Sequence, residues 1–371
     1  MKSVLVTGSL GFIGKNLCSR LDWEKDIELL SYDKDNTPEE LAEMVKKADF
    51  IFHLAGVNRP KNEDDFDKGN RLFTEQIISL VKASQKKTPL LVTSSIQAEL
   101  DNPYGKSKRQ AEKAVFGWAE ETGNKIYVYR LPNVFGKWSR PNYNTVIATF
   151  CNNIAKGLDI AISDPAAELN LVYIDDVIGS FLECLRAEKT PASDGFCYVD
   201  RTFKTTIGDV ADRLYAFKSS RDSLLVPDFG DDFNRFLYAT YTSYLDEDSL
   251  DYNLEMRHDN RGWLAEFIKS KQFGQVFISR TKPGITRGNH WHHTKIEKFL
   301  VIDGEAEIRF RGSESTKITS YKVSGNELKV LDIPAGYTHS ITNIGEKDLL
   351  TLFWADEIFD PNRPDTYSSE V

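Results

Sequence analysis

Two sets of side chains in this chain have types and spacings that can do chemistry. The first is His290-Trp-His292 with Glu297 following in the apolar run Ile296–Ile302, and His339 arriving from a later segment. Strand side chains alternate in direction, so histidines two apart share a face, whereas His293 points to the other side. Three imidazoles and one carboxylate converging on a point form a donor set suited to Zn²⁺ or another divalent ion. Only His53 and His258 lie outside this region. The second set is Tyr104 and Lys108, four apart and so on one face of a helix, preceded by a strand ending in Thr93-Ser94-Ser95. A lysine cation beside a phenol lowers its pKa and lets tyrosine move a proton near neutral pH, while a serine hydroxyl holds the substrate oxygen.

The elements that must position the second set form an alternation of strands and helices. Ser3 to Thr7 reads as a strand running into Gly8-Ser-Leu-Gly11-Phe12-Ile13-Gly14 and then a helix from Lys15 to Leu21. Strand, glycine turn and helix form the arrangement that receives a dinucleotide pyrophosphate on backbone N–H groups. The next strand, Ile27 to Tyr32, ends at Asp33-Lys34. The acid suits a ribose 2′-hydroxyl and NAD; the lysine suits a 2′-phosphate and NADP. A helix over Pro38–Lys47, the strand Phe50-Ile-Phe-His53 entering Leu54-Ala55-Gly56, a helix over about Arg71–Ser84 and the strand Leu90–Ser95 complete the alternation. The pattern predicts a doubly wound, Rossmann-type parallel sheet.

These residues together resemble the extended short-chain dehydrogenase/reductase family. The matches are Thr7-Gly8…Gly11-Phe12-Ile13-Gly14, His53-Leu54-Ala55-Gly56, Asn70, Ser95, Tyr104/Lys108, Arg130-Leu-Pro-Asn133-Val-Phe-Gly136 and Val172-Tyr-Ile-Asp175-Asp176. The resemblance implies Ser95, Tyr104 and Lys108 as catalytic residues and a nucleotide-sugar substrate met by Arg130 and Asn133.

The histidine region resembles both cupin motifs. Gly284 to Gly304 follows G-x5-H-x-H-x4-E-x6-G, and Pro334-Ala-Gly336-Tyr-Thr-His339-Ser-Ile-Thr-Asn343 follows the second motif, with its leading glycine, Gly325, three residues early. Asp259-Asn-Arg261-Gly262, with Arg287-Gly-Asn-His290, also resembles the sugar 3,5-epimerases that act on 4-keto nucleotide sugars. That likeness implies Arg261 at the diphosphate. It makes His290 a catalytic base, whereas the metal cupins make it a ligand; His292 and Glu297 favour the metal.

The chain should therefore hold an N-terminal reductase domain with a small substrate subdomain over residues 1–245, the polar linker Leu245–Asp251, and a C-terminal cupin β-barrel over 252–371. The combination resembles bifunctional enzymes of capsular-polysaccharide synthesis. It implies C3 epimerisation of a UDP-2-acetamido-2,6-dideoxy-4-ketohexose in the cupin domain. The N-terminal domain would then reduce C4 with NADPH to UDP-N-acetyl-6-deoxy-L-talosamine, a precursor of UDP-N-acetyl-L-fucosamine. The other readings are a reductase or C4 epimerase whose cupin domain only binds sugar or joins a dimer.

Composition sets outer bounds. A formal net charge of −9 over 371 residues gives no basic stripe for nucleic acid. No apolar run is long enough for a membrane span, and four cysteines without a CxxC suit reduced thiols in the cytoplasm. Both resembled families favour dimers, so a homodimer is expected.

Overall fold

The structure, a computed structural model, describes residues 1–60, 62–312 and 315–371. It divides into two compact units, Met1–Leu214 with Phe236–Leu245, and Tyr215–Arg235 with Asp246–Val371. Tyr215–Arg235, assigned above to the reductase domain, thus groups with the second unit. Its backbone is fastened there, with Val226 N–H donating to Lys269 O at 2.8 Å and Lys269 N–H to Leu224 O at 2.7 Å.

The first unit runs β1 (Lys2–Thr7), α1 (Phe12–Leu21), β2 (Ile27–Tyr32), α2 (Pro38–Lys47), β3 (Phe50–His53), α3 (Asp64–Phe66), a π-helical turn over Asp67–Leu72, α4 (Phe73–Ser84), β4 (Leu90–Ser95), α5 (Pro103–Thr122) and β5 (Ile126–Leu131). There follow β6 (Asn133–Phe135), α6 (Val146–Ala155), β7 (Glu168–Tyr173), α7 (Ile174–Leu185), β8 (Phe196–Cys197), β9 (Phe203–Thr206), and then α8 (Ile207–Ser223) and α9 (Asp232–Thr242), each of which has residues in both units. The main sheet has the order β2-β1-β3-β4-β5-β8 and is parallel throughout. β1, β3 and β4 are buried on both faces, which is why Val4–Val6, Phe50–Phe52 and Leu90–Val92 read as unbroken apolar runs rather than alternating ones.

Because β2 lies on one side of β1 and β3 on the other, the strand order reverses between β1 and β3. The crevice at the carboxyl ends of such strands is the usual ligand position of this architecture. Both glycine-containing turns, after β1 and after β3, open there. A small sheet, β6-β7-β9, stands apart from the main one.

The second unit is antiparallel. Its strands are β10 (Met256–Asp259), β11 (Gly262–Ser270), β12 (Gly274–Thr281), β13 (Thr286–Trp291), β14 (Glu297–Asp303), β15 (Glu305–Gly312), β16 (Ile318–Ser324), β17 (Val330–Ile333), β18 (Tyr337–Asn343), β19 (Leu349–Ala355) and β20 (Tyr367–Ser368). They make two sheets, β10-β11-β12-β19-β14-β17 and β16-β15-β18-β13-β20, a cupin-like pair of layers. Phe299, Val301, Ile308, Ile333, Ile341 and Phe353 form the core, each taken from the buried phase of an alternating strand. Among the described residues no helix is long and apolar enough to cross a membrane.

Helix α5 carries Tyr104 and Lys108, and its start is fixed by Asn102, whose side chain accepts the Gly105 N–H at 2.7 Å. A Cβ on Gly105 would lie 2.2 Å from Gln97 O and 2.7 Å from Leu100 O. Gly105→Ala should therefore displace this helix start, costing about 1–3 kcal/mol in urea unfolding, with a larger proportional loss of turnover.

Candidate active site and metal centre

The turn after β1 is built to admit a phosphate. Its helix α1 begins at Gly11, which offers no side-chain cap, and its first turn has no acidic residue, so the leading N–H groups are free of internal partners. A Cβ on Gly14 would meet Gly8 O at 2.0 Å, so only glycine lets helix and turn approach this closely. Phe12 and Ile13, beside it, are half-buried. Asp33, at the end of β2, accepts the Leu10 N–H at 2.8 Å and the Lys34 N–H at 2.9 Å. The carboxylate therefore braces the turn, and the Lys34 side chain is exposed beside it.

The floor of the site is tied together by Thr7, whose hydroxyl lies 2.8 Å from His53 Nδ1. His53 Nε2 meets the Thr74 hydroxyl at 3.1 Å. Burial, with the Lys108 cation as a second cause, drives the His53 pKa down to about 3, so this imidazole is a neutral structural link. Leu54 continues from it with its N–H on Thr7 O at 3.2 Å, then Ala55 and Gly56. Asn70, in the π-helical turn, holds Val57 through both its N–H and C=O and donates to Ser107 at 2.9 Å.

Lys108 is buried and donates to Thr93 O at 2.9 Å. Burial lowers its pKa to about 8, with Glu112 opposing. The Tyr104 phenol lies beside the Ser95 hydroxyl, and the Phe66 ring lies 5.7 Å from its own. The expected lowering of the phenol by Lys108 is not found. Burial raises the Tyr104 pKa and the Ser95 hydroxyl is what opposes it, so the phenol keeps its proton at neutral pH.

Arg130 also departs from expectation. Rather than presenting a free guanidinium to a ligand, it grips the buried Glu112 through Nε at 2.9 Å and Nη2 at 2.7 Å. It also reaches Glu99 at 3.0 Å and stacks 4.0 Å over Phe196. Ser94 is likewise engaged, donating to Glu112 at 2.5 Å, whereas the Ser95 hydroxyl accepts the Gln97 N–H at 3.2 Å. Asn133 is exposed at the start of β6. Glu112 was not picked out above, though its position one helical turn after Lys108 is a usable signal.

In the second unit β13 and β18 belong to one sheet and β14 to the other, and their side chains meet. One ligand atom from each of His290, His292, Glu297 and His339 lies within 4.8 Å of the others. A bulge between Gly288 and His290, with Asn289 at φ +55°, turns the strand so that His290 faces His339 across a ring separation of 4.6 Å. His292 Nε2 is 3.2 Å from Glu297 Oε2. His339 Nε2 is 3.3 Å from the same oxygen but misaligned, so this buried nitrogen has no hydrogen-bond partner. His293 is exposed.

Burial, with the neighbouring imidazoles, lowers the His290 pKa to about 4 and keeps it neutral. Burial works against the Glu297 carboxylate, but His292 and His339 outweigh it and hold its pKa at about 2. A buried anion ringed by imidazoles, one with an unpartnered nitrogen, fits a divalent ion such as Zn²⁺.

Arg261, at the turn between β10 and β11, pairs with Asp259 at 2.5 Å. Arg287, quoted above but given no role there, lies 3.7 Å from Asp259, and its Nη2 is buried without a hydrogen-bond partner among the described residues.

Residues 4–195 match the NAD dependent epimerase/dehydratase family. The chain belongs to that family. Residues 257–367 match the polysaccharide biosynthesis C-terminal domain. The family member most informative in sequence is the UDP-2-acetamido-2,6-beta-L-arabino-hexul-4-ose reductase of Pseudomonas aeruginosa, 43% identical over 99% of this chain and 98% of that one. In structure the chain is similar to the capsular polysaccharide assembling protein CapF of Staphylococcus aureus, with 46% identity, 99% of this chain and 100% of that chain covered, and a TM-score of 0.93. A CapF structure with the inhibitor 3-isopropenyl-tropolone is similar over 100% of both chains, at 42% identity and a TM-score of 0.88. The fused-domain resemblance read from the sequence thus holds over the full length.

Removing the Glu112 side chain takes the main partner from Arg130, whose side chain is 19% exposed and keeps Glu99, and leaves the buried Ser94 hydroxyl without its acceptor. Glu112→Ala should cost about 1–3 kcal/mol in denaturant unfolding, and Glu112→Gln clearly less.

Proposed function

We propose that this chain is a two-site enzyme of nucleotide-sugar metabolism. Its cupin-like half epimerises C3 of a UDP-2-acetamido-2,6-dideoxy-4-ketohexose. Its N-terminal half reduces the C4 ketone with NADPH to UDP-N-acetyl-6-deoxy-L-talosamine, for capsular or other surface polysaccharide. The observation that carries this reading is that one chain holds both the Ser95–Tyr104–Lys108 set and the His290–His292–Glu297–His339 cluster. The activity named for the 43% identical relative supports the ketone as substrate.

In the N-terminal half the bound nicotinamide supplies hydride. The Gly8–Gly14 turn and the start of α1 hold the pyrophosphate, and Lys34 is placed to meet a 2′-phosphate while Asp33 braces the turn. Ser95 donates a hydrogen bond to the C4 carbonyl oxygen, and Tyr104, protonated at neutral pH, gives that oxygen its proton. The Lys108 cation favours the phenolate left behind. The Glu112–Arg130 pair positions the helix and strand that carry these groups.

In the C-terminal half a divalent ion would supply Lewis-acid polarisation of a carbonyl. His290, His292, His339 and Glu297 would hold it, and Arg261 with Arg287 would meet the diphosphate. A ketone at C4 acidifies the C3 hydrogen; its proton passes to a base at one face, the C3–H electron pair goes into the enolate, and a solvent-derived proton delivered to the other face inverts that carbon. A tropolone offers a carbonyl and a hydroxyl oxygen on adjacent carbons, a bidentate metal-binding arrangement, and an inhibitor of that chemistry on CapF is in keeping with a metal-dependent step. This reading places the enzyme in the cytoplasm as a homodimer.

Incubation of the 4-keto sugar with the enzyme in D₂O, followed by NADPH, should give a product with deuterium at C3 by NMR, faster than with NADH. His290→Ala should lose the C3 label. Label-free product from the wild type would remove the epimerase role. Reduction should fall as pH rises through about 8, where Lys108 loses its charge. Lys108→Arg should move that limb of the kcat/KM profile upward, and Tyr104→Phe should lower kcat about 10²- to 10⁴-fold.

A further inference from the structure

The C-terminal tail touches the histidine cluster at a point that no catalytic motif includes. His292 Nδ1 lies 2.5 Å from the backbone carbonyl oxygen of Asp365. A carbonyl oxygen can only accept, so this nitrogen carries a proton, and Nε2, the atom facing Glu297 and His339, is the one that would give its lone pair to a bound ion. Asp365 itself is pinned. Its carboxylate accepts the backbone N–H groups of His293, Thr294 and Lys295 at 2.9, 3.0 and 3.0 Å and the Thr294 hydroxyl at 3.1 Å. These donors outweigh its partial burial and hold its carboxyl well below the ordinary range. Lys295 Nζ donates to Pro364 O at 3.1 Å, fixing the residue before it.

Asp365 has φ +40°, a conformation that a residue with a side chain keeps only under such restraint. The tail then pairs with β13 through Ser368 opposite His290 and Tyr367 opposite Trp291. The Tyr367 and Trp291 rings stack at 4.8 Å. Ser369 N–H donates to the carbonyl of Asn289 at 3.0 Å, at the bulge that turns His290 inward. Arg311 closes the far end, donating to Glu370 O at 2.6 Å.

Resting on the metal reading above, we infer that the strap Pro364–Glu370 is the element that preorganises the metal centre, with Asp365 as the positioning residue that fixes the His292 tautomer and ring plane. Outer partners of this kind set ligand orientation, and their loss commonly weakens metal binding about 10- to 100-fold. The bond comes from a backbone carbonyl, so the side chain of Asp365 acts by holding that carbonyl in place.

The test uses full-length protein stripped of metal and titrated with zinc against a chromophoric chelator. Asp365→Ala should raise the zinc dissociation constant about 10- to 100-fold. Long-range ¹H–¹⁵N spectra of the zinc-loaded wild type should show His292 bound through Nε2 with a proton on Nδ1, and Asp365→Ala should show mixed tautomers. Thr294→Val, which removes one donor to the carboxylate and leaves its backbone anchors, should weaken zinc about three- to tenfold, and it carries the test if Asp365→Ala fails to fold. Zinc affinity within twofold of wild type in the folded variants, or His292 bound through Nδ1, would overturn the role of the strap. A wild type that takes up no zinc would overturn the metal reading and the inference with it.

Discussion

The second unit is organised around one costly contact, a buried carboxylate at Glu297 faced by His292 and His339. Taking an ion out of water costs several kcal/mol unless positive partners meet it. Here two strands of one sheet and one strand of the other bring partners to the same oxygen. Apolar residues alone would fill that space more cheaply, and Phe299, whose ring lies 5.6 Å from that of His339, shows that the core reaches right up to it. An anion kept where a hydrophobic residue would fit, beside a nitrogen with no partner, is the arrangement of a site that receives a cation. The tail is anchored by Asp365 to the segment between His292 and Glu297, so the cluster and the tail form one hydrogen-bonded unit.

The first unit solves a different problem with the same means. A lysine ammonium is buried beside a tyrosine that keeps its proton, and the charge is tolerated because Thr93 O and the Glu112 carboxylate stand near it. Arg130 completes that network from β5 and links the strand beneath the site to the helix above it. Both halves therefore place a charged group away from water and use second partners, drawn from elsewhere in the chain, to fix its position.

What was legible in the sequence follows from the range of the interactions. The glycine turn, the Tyr104–Lys108 pair and the His290–His292 pair are set by spacings of two to four residues; the turn and the Tyr104–Lys108 pair lie on the elements expected, while His292 falls just past the end of β13 yet still joins His290 in the cluster. The parallel sheet was equally readable, because strands buried on both faces become unbroken apolar runs. The pairing of Arg130 with Glu112 was not legible, because Glu112 lies 18 residues away on another element and spacing carries no record of it. Asp365, 73 residues from His292, has no local signature at all. The attachment of Tyr215–Arg235 to the second unit was hidden for a similar reason, since the backbone bonds of Leu224 and Val226 to Lys269 leave no mark on composition. The phenol of Tyr104 was expected to be acidified by Lys108. Burial has the opposite sign and is the stronger effect.

The account depends most on the four-residue cluster being a metal centre. X-ray absorption at the zinc edge on protein loaded with one equivalent of zinc tests this directly. The account predicts three imidazole nitrogens and a carboxylate oxygen at about 2.0–2.2 Å, with the imidazole signal reduced in His339→Ala. A fully hydrated ion, or a spectrum unchanged by that substitution, would contradict it.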